Sequence, residues 1–388
     1  MNRAVFLLSL AAFASAASLR ATDPLLPLIA DEYAVTAGAA SAAVTAFALS
    51  YGLLQVVCGP LGDRYGRYRT IAAAALVSAF GSAACALAPS LGALVAARFV
   101  SGATIGAFIP LALAWIGDTV SYEKRQPLLA RFLVGQMAGV AFGTAAAGWL
   151  GEHFGWRTIF FAMAALLFIV ALLLVLEVKR NPLAARRGAG RGAIRQSLAR
   201  MPRLLVHPRL RVLIATGYVE GLFIFGALAF VAIYLQRRFL LGPGLAGTLV
   251  TAYAAGGMLY ALAARRAVRR LGERGLATLG GAALFIGYLG LALSPFLTLT
   301  TLSIGAVGAG FYMLHTTVQT HVTQVAPEDR GSAVALFATF LFLGQASGVW
   351  FASHIVDGAD MTPVFLAAAL GLAALATAFR YFLSSGGT

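Results

Sequence analysis

Gly59-Pro60-Leu61-Gly62-Asp63-Arg64-Tyr65-Gly66-Arg67-Tyr68-Arg69 lies between two apolar runs, 38–58 and 70–88. Each run is long enough to cross a bilayer as a helix, which takes about 20 apolar residues. The three glycines permit a tight turn and close helix approach. The three arginines mark the side of the membrane on which the turn sits. The same grammar recurs along all 388 residues, of which 60% are apolar and 11% charged. Mean hydropathy is +0.85. A water-soluble fold needs more polar surface than this. The composition also excludes a disordered chain, a disulfide scaffold and a coiled coil.

Apolar runs at 5–29, 38–58, 70–88, 91–115, 127–150, 158–178, 211–235, 245–263, 276–293, 298–321, 332–355 and 362–383 predict twelve spanning helices. The expected class is an all-α polytopic membrane protein. Pro89, Pro127, Pro295 and Pro363 punctuate the span ends.

With both termini in the cytoplasm, the inner segments collect Arg3, Arg64, Arg67, Arg69, Lys124 and Arg125. They also take the basic residues from Lys179 to Arg211, and Arg265, Arg266, Arg269, Arg270 and Arg274. Only Arg157, Arg237 and Arg238 fall outside. This positive-inside bias predicts a multi-pass protein of the cell's inner (plasma) membrane with both termini cytoplasmic. It also explains the formal net charge of +15. The basic stretch 179–211 has no aromatic residue for base stacking, so anionic lipid is the expected contact and nucleic acid is not. An alternative reading of the first span is a secretory signal peptide, with Arg3, an apolar run and Ala14-Ser15-Ala16. N-terminal sequencing separates the two, because cleavage leaves a start near residue 17. Cys58 and Cys85 fall near opposite membrane faces, beyond disulfide reach, and read as packing residues.

The chain echoes itself. Gly135-Gln136-Met137-Ala138-Gly139-Val140-Ala141-Phe142 matches Gly344-Gln345-Ala346-Ser347-Gly348-Val349-Trp350-Phe351 at an offset of 209. The quoted turn has a worn counterpart, with Leu262, Arg265 and Arg270 answering Leu61, Arg64 and Arg69 at an offset of 201 and the glycines lost. The repeat predicts two six-helix bundles, 1–178 and 211–388, joined by a basic cytoplasmic linker, 179–210. Such repeats place a binding site at their interface near the midplane.

These residues resemble the major facilitator superfamily. Gly59-x-Leu61-x-Asp63-Arg64-x-Gly66-Arg67-x-Arg69 matches the family's loop signature between the second and third helices. Leu94-x-x-x-Arg98-x-x-Ser101-Gly102-x-x-x-Gly106 looks like its helix-four motif, and Asp118 falls where the family keeps an acid. Gly155-Trp156-Arg157-x-x-Phe160 opens the sixth helix as in many members, and Pro327-Glu328-Asp329-Arg330-Gly331 precedes the eleventh. Asp23-Pro24-x-x-Pro27 resembles the first helix of the twelve-helix drug:proton antiporter branch, near sugar-efflux-like members. The resemblance implies two halves that rock about a central site. It also implies a conformational gate of Gly59, Asp63, Arg64, Gly66, Arg67 and Asp118, with Arg67 paired to Asp118. Asp63 is suited to accept backbone N–H groups at the start of the eleventh helix, near Gly331 and Ser332. The competing reading is a plain positive-inside loop with a stray Asp. One departure bears on direction: the branch's G-x-x-x-G-P-x-x-G-G is Gly139-x-x-x-Gly143-Thr144-x-x-Ala147-Gly148 here.

Ionisable groups inside spanning helices are costly and mark function. Asp23 lies eight residues before Asp31, about 12 Å deep, and Arg98 about 13 Å deep from the same face. Arg20 precedes Asp23 by three, a same-face spacing. Asp23 reads as a proton carrier tuned by Arg98 or Arg20, or as half of a structural ion pair. Glu220 and His315 lie at comparable depth in the seventh and tenth spans and would form a second protonation site. Tyr312, His315 and Gln319 share a face, and Phe223 with its aromatic neighbours is a candidate cavity wall, alongside Arg20 and Arg98.

The favoured reading is proton-coupled efflux, by antiport, of small organic or hydrophobic compounds. The alternatives are proton-coupled uptake of a small anionic solute clamped by Arg20 and Arg98, and a transport-inactive receptor or sensor on the same scaffold. The expected partners are a small-molecule substrate, protons and the lipid bilayer, with the chain a monomer. No nucleotide-binding loop, catalytic constellation or metal-ligand spacing is present, so no enzyme activity, cofactor or metal is expected.

Overall fold

The computed structural model describes residues 2–120, 122–185, 193–326, 329–358 and 360–385. Pro327 and Glu328 of the expected motif, and part of the linker, lie outside these. Eleven helical runs are long and apolar enough to cross a membrane. They are α1 (Arg3–Tyr33), α2 (Ala37–Tyr65), α3 (Arg67–Ala86), α4 (Leu91–Thr119), α5 (Arg131–Phe154) and α6 (Arg157–Arg180), then α7 (Pro208–Phe239). A 51-residue run, Pro243–Leu293, follows. At about 1.5 Å per residue it would reach about 76 Å, far beyond a ~30 Å core. It turns at Gly272, whose φ of 61° and ψ of −178° are non-helical. Its limbs are α8 (243–271) and α9 (273–293). Next come α10 (Leu297–Val325), α11 (Arg330–Val356) and α12 (Thr362–Ser384). The result is the twelve-span all-α membrane fold expected.

The turn between α2 and α3 is shorter than expected. Helix α2 runs through Gly59, Pro60 and Gly62 to Tyr65, and only Gly66, with φ 92°, breaks it. Glycine alone tolerates that conformation without strain. The expected loop at 264–275 is likewise helical up to Gly272. Gly66 and Gly272 play the same part in the two halves. The repeat register read from Leu and Arg therefore shifts by five positions, and one turn glycine is retained. The Leu and Arg pattern does not carry this correspondence, because backbone conformation, not side-chain type, is what the two turns share.

The small-residue seams repeat as well. In α5, Gly139 lies against the Phe13 carbonyl of α1, and in α11, Gly348 lies against the Leu222 carbonyl of α7. Both members of the second contact stand at the repeat offset of 209 from those of the first. A Cβ at either glycine would collide with backbone, so these positions fix how closely the helices approach.

Segments at the ends of even-numbered spans carry Arg64, Arg265, Arg269 and Arg270, and define a basic face. Arg3 pairs with Glu177 at 3.4 Å across the ends of α1 and α6 on that face. Exposed Phe80, Ile169, Ile286, Leu302 and Leu370 give the flanks the apolar surface that lipid requires. Cys58 and Cys85 are free and buried.

Candidate functional site

Helix α1 is interrupted in mid-span. The α-helix Asn2–Arg20 stops, Asp23–Leu25 forms a 3-10 turn, and an α-helix resumes over Leu26–Tyr33. Pro24 and Pro27 each remove an N–H from the ladder at this point. The break presents Asp23, and its Oδ2 accepts from Arg20 Nη1 at 3.0 Å, with both side chains 4% exposed. Asp23 Oδ1 and Arg20 Nη2 have no hydrogen-bond partner among the described residues.

Arg98 of α4 takes a different partner. Its Nη1 and Nη2 both donate to the Ser18 carbonyl at 3.3 Å, one of the carbonyls left open where the helix ends. The guanidinium lies 3.9 Å from the Phe47 ring centroid, a cation–π contact. The structure thus makes Arg20 the direct partner of Asp23, while Arg98 ties α4 to the broken α1.

A second buried pair lies in the last six helices. Glu220 Oε2 meets His315 Nδ1 at 3.0 Å, with the Glu220 side chain fully buried and that of His315 14% exposed. Glu220 Oε1 has no partner among the described residues. Immediately after Glu220, α7 widens into a π-helical turn, Gly221–Phe225. Such bulges re-aim side chains and recur at functional sites.

Aromatic rings join the two pairs. Arg20 Cζ stands 4.9 Å from the Phe225 centroid. Phe225 packs edge-on against Phe311 at 5.0 Å, and Phe311 stacks on His315 at 4.8 Å. Tyr312 and Tyr253 flank this chain. Phe223 is not brought here; its ring covers Gly371 of α12. Gln319 is exposed one turn toward the basic face. Tyr234 instead packs on Phe365. Local spacing had no means of choosing Phe225 over Phe223, because the π turn shifts the facing of everything after Glu220. Gln345 was legible only as a repeat residue, yet it is buried with neither amide atom bonded to described residues.

At the basic face Arg67 Nη1 pairs with Asp118 at 2.5 Å and donates to the Ala114 carbonyl at 2.7 Å. Arg67 Nη2 also donates to Asp63 Oδ1 at 3.2 Å. Asp63 therefore bonds within the first six helices here, while at Gly331 there is open space where a side chain would project. Arg64 lies over the Tyr65 ring, and Gly59 faces open space. The opposite face is closed across the seam: Gly38 N–H donates to Asp357 Oδ1, Gly244 N–H to Glu152 Oε2, and Gln236 Nε2 to the Pro24 carbonyl. Nearer the midplane, Thr339 Oγ1 donates to the Gly52 carbonyl at 2.9 Å.

Comparison with known proteins places these features in a family. The model of the Major Facilitator Superfamily matches residues 8–349. The MFS-type transporter YwfA of Bacillus subtilis is 25% identical over 249 residues, 64% of this chain and 60% of that protein. The multi-drug resistance efflux pump PmrA of Streptococcus pneumoniae is 30% identical over 173 residues, 44% of this chain and 43% of the pump. The chain thus spans 43–60% of these two curated relatives. The crystal structure of a variant of the nucleoside transporter NupG superposes with a TM-score of 0.79 at 14% identity, covering 97% of this chain and 99% of that one. That likeness establishes the fold.

Proposed function

The chain belongs to the major facilitator superfamily, and from that premise we propose that it is a proton-coupled exporter of small, largely apolar organic compounds. It works by alternating access, with 1–178 and 211–388 rocking about the centre and the basic linker 179–210 on the cytoplasmic side. The basic face and both termini lie in the cytoplasm, and the membrane is the cell's inner membrane, as the distribution of Arg supports.

The observation that carries the reading is the buried Arg20–Asp23 pair aligned through Phe225 and Phe311 with the Glu220–His315 pair. A carboxylate buried this deeply is tolerated because it is paired. Adding a proton to Asp23 cancels the pair, and the Arg20 guanidinium is then left to the Phe225 face. Losing the proton restores the pair. Movement of the two halves exposes Asp23 to one side and then the other, so proton loading and access change together. Glu220 and His315 offer the same exchange on the far side of the aromatic chain. The Phe225, Phe311, Tyr253 and Tyr312 rings suit an apolar or aromatic solute. The multidrug relative supports export.

A second reading is uptake of a small anion. Arg20 Nη2 and Arg98 Nε are buried and unpartnered among the described residues, which suits a carboxylate ligand. Helix α5 also runs unbroken past Thr144, whose Oγ1 bonds the Val140 carbonyl at 2.9 Å, where the antiporter pattern has Pro. Vesicles reconstituted with the chain and loaded with a pH-sensitive dye separate the two. Export by antiport predicts that an apolar compound discharges an imposed pH gradient with solute and proton moving in opposite directions. Movement in the same direction overturns antiport, and no movement with any compound overturns transport coupled to protons.

A further inference from the structure

At the face opposite the basic one, the two halves are held by the same device used twice. Helix α2 begins at Ala37 and α8 at Pro243, so Gly38 and Gly244 are each the second residue of their helix. They are spaced along the chain by the same offset as the turn glycines Gly66 and Gly272. An N–H at this position has no acceptor inside its own helix. In both helices the acceptor is a carboxylate from the other half. Asp357, at the end of α11, takes the Gly38 N–H at 2.7 Å, and Glu152, in the last turn of α5, takes the Gly244 N–H at 2.7 Å. Both glycines are needed for the approach, because a Cβ on Gly38 would meet Asp357 and one on Gly244 would lie 2.7 Å from Glu152 Oε2.

We propose that Glu152 and Asp357 are positioning residues that set the balance between the two access states by clamping this face shut. The two carboxylates do not occupy equivalent places in the repeat. At the offset of 209, Asp357 falls on Gly148, four positions before Glu152. The donors thus stand at equivalent places in the repeat and the acceptors do not. Both acids are exposed. Water can therefore replace each bond as the face opens, and the clamp is strong enough to bias the equilibrium yet weak enough to release. It holds whatever solute or ion the centre carries, and so goes beyond the reading above.

The test uses the full chain in lipid nanodiscs, with Cys58 and Cys85 replaced by Ala and spin labels at Leu87 and Leu293. These are exposed residues at the opposite-face ends of α3 and α9. Pulsed electron spin resonance reads the distance distribution. Glu152→Ala and Asp357→Ala remove the acceptor and should each raise the ratio of the long to the short distance about fivefold, the weight of one exposed hydrogen bond. The double variant should raise it about twentyfold, since the two bonds share no partner. Glu152→Asp should return part of the short population. Gly244→Trp leaves both acids in place and props the α5–α8 seam from the donor side, so it should also lengthen the distance. A merely structural cap would lower the melting temperature and leave the distribution alone. Unchanged distances in folded single variants overturn the proposal, and so do unchanged distances in a folded Gly244→Trp chain. Failure of proton coupling in vesicles leaves these distances as they are, so the two readings fail separately.

Discussion

The two buried acid pairs are built in opposite ways. Arg20 and Asp23 are three residues apart and meet at 3.0 Å across a break in one helix. Glu220 and His315 are 95 residues apart and meet at the same distance only because α7 and α10 cross there. The first pair forms wherever α1 keeps its shape. The second exists only while two helices hold their relative positions. On the proposed function, a local pair stores and releases a proton without dismantling the helix bundle. A long-range pair reports, and constrains, how the helices sit.

That contrast yields tests of decreasing size. Asp23→Asn should reduce transport driven by a pH gradient to vesicle background, a loss of about a hundredfold or more, while solute binding by the same protein stays within about threefold. Coupling that survives the substitution would leave Asp23 as a structural ion. Arg20→Leu strands a buried carboxylate and should cost about 3 kcal/mol of stability, whereas Arg20→Leu with Asp23→Leu should lie near the parent. Thermal unfolding in detergent measures both, and additive losses would mean that the pair is not one unit. Glu220→Gln keeps the hydrogen bond to His315 and removes the charge, so about a tenfold fall in transport is expected. An unaltered pH profile would confine Glu220 to packing. Phe225→Ala cuts the ring that joins the pairs and should lower transport about threefold, the scale of one cation–π contact. A Phe225→Tyr chain should recover it. Asp63→Asn should lower transport about twofold with membrane expression unchanged, and normal kinetics would remove Asp63 from the gate.

The same contrast explains what could be read in advance. Arg20 and Asp23 were candidates for a pair from their i,i+3 spacing, with Arg98 as the alternative partner, and the break between Arg20 and Asp23 in α1 decided for Arg20. Glu220 and His315 were visible as candidates of matching depth, since depth follows from counting residues along a helix of known rise. The pair expected from that depth is present at 3.0 Å, although depth alone does not bring the side chains together, because rotation about a helix axis depends on what the helix packs against. Phe225 could not be told from Phe223 while the π turn after Glu220 was unknown. Glu152 and Asp357 were not legible, since an acid at the end of a span has the pattern of ordinary solvated surface. The Arg67–Asp118 contact came from family resemblance and is present, while Asp63 turns to Arg67 rather than to α11.

Sequence alone determined the number of crossings, the basic face and the same-face spacing of Arg20 and Asp23. Each of these rests on interactions within one helix or between one helix and its surroundings: about 20 apolar residues span a bilayer, arginines stay on one side, and three residues make most of a turn. Tertiary structure decided the register of the repeat at Gly66 and Gly272, the joining of the acid pairs through Phe225 and Phe311, and the closure of the opposite face by Glu152 and Asp357. Those features depend on how far helices approach and how they are turned. Glycine seams set the approach, backbone against backbone, and no count along a single helix contains that distance.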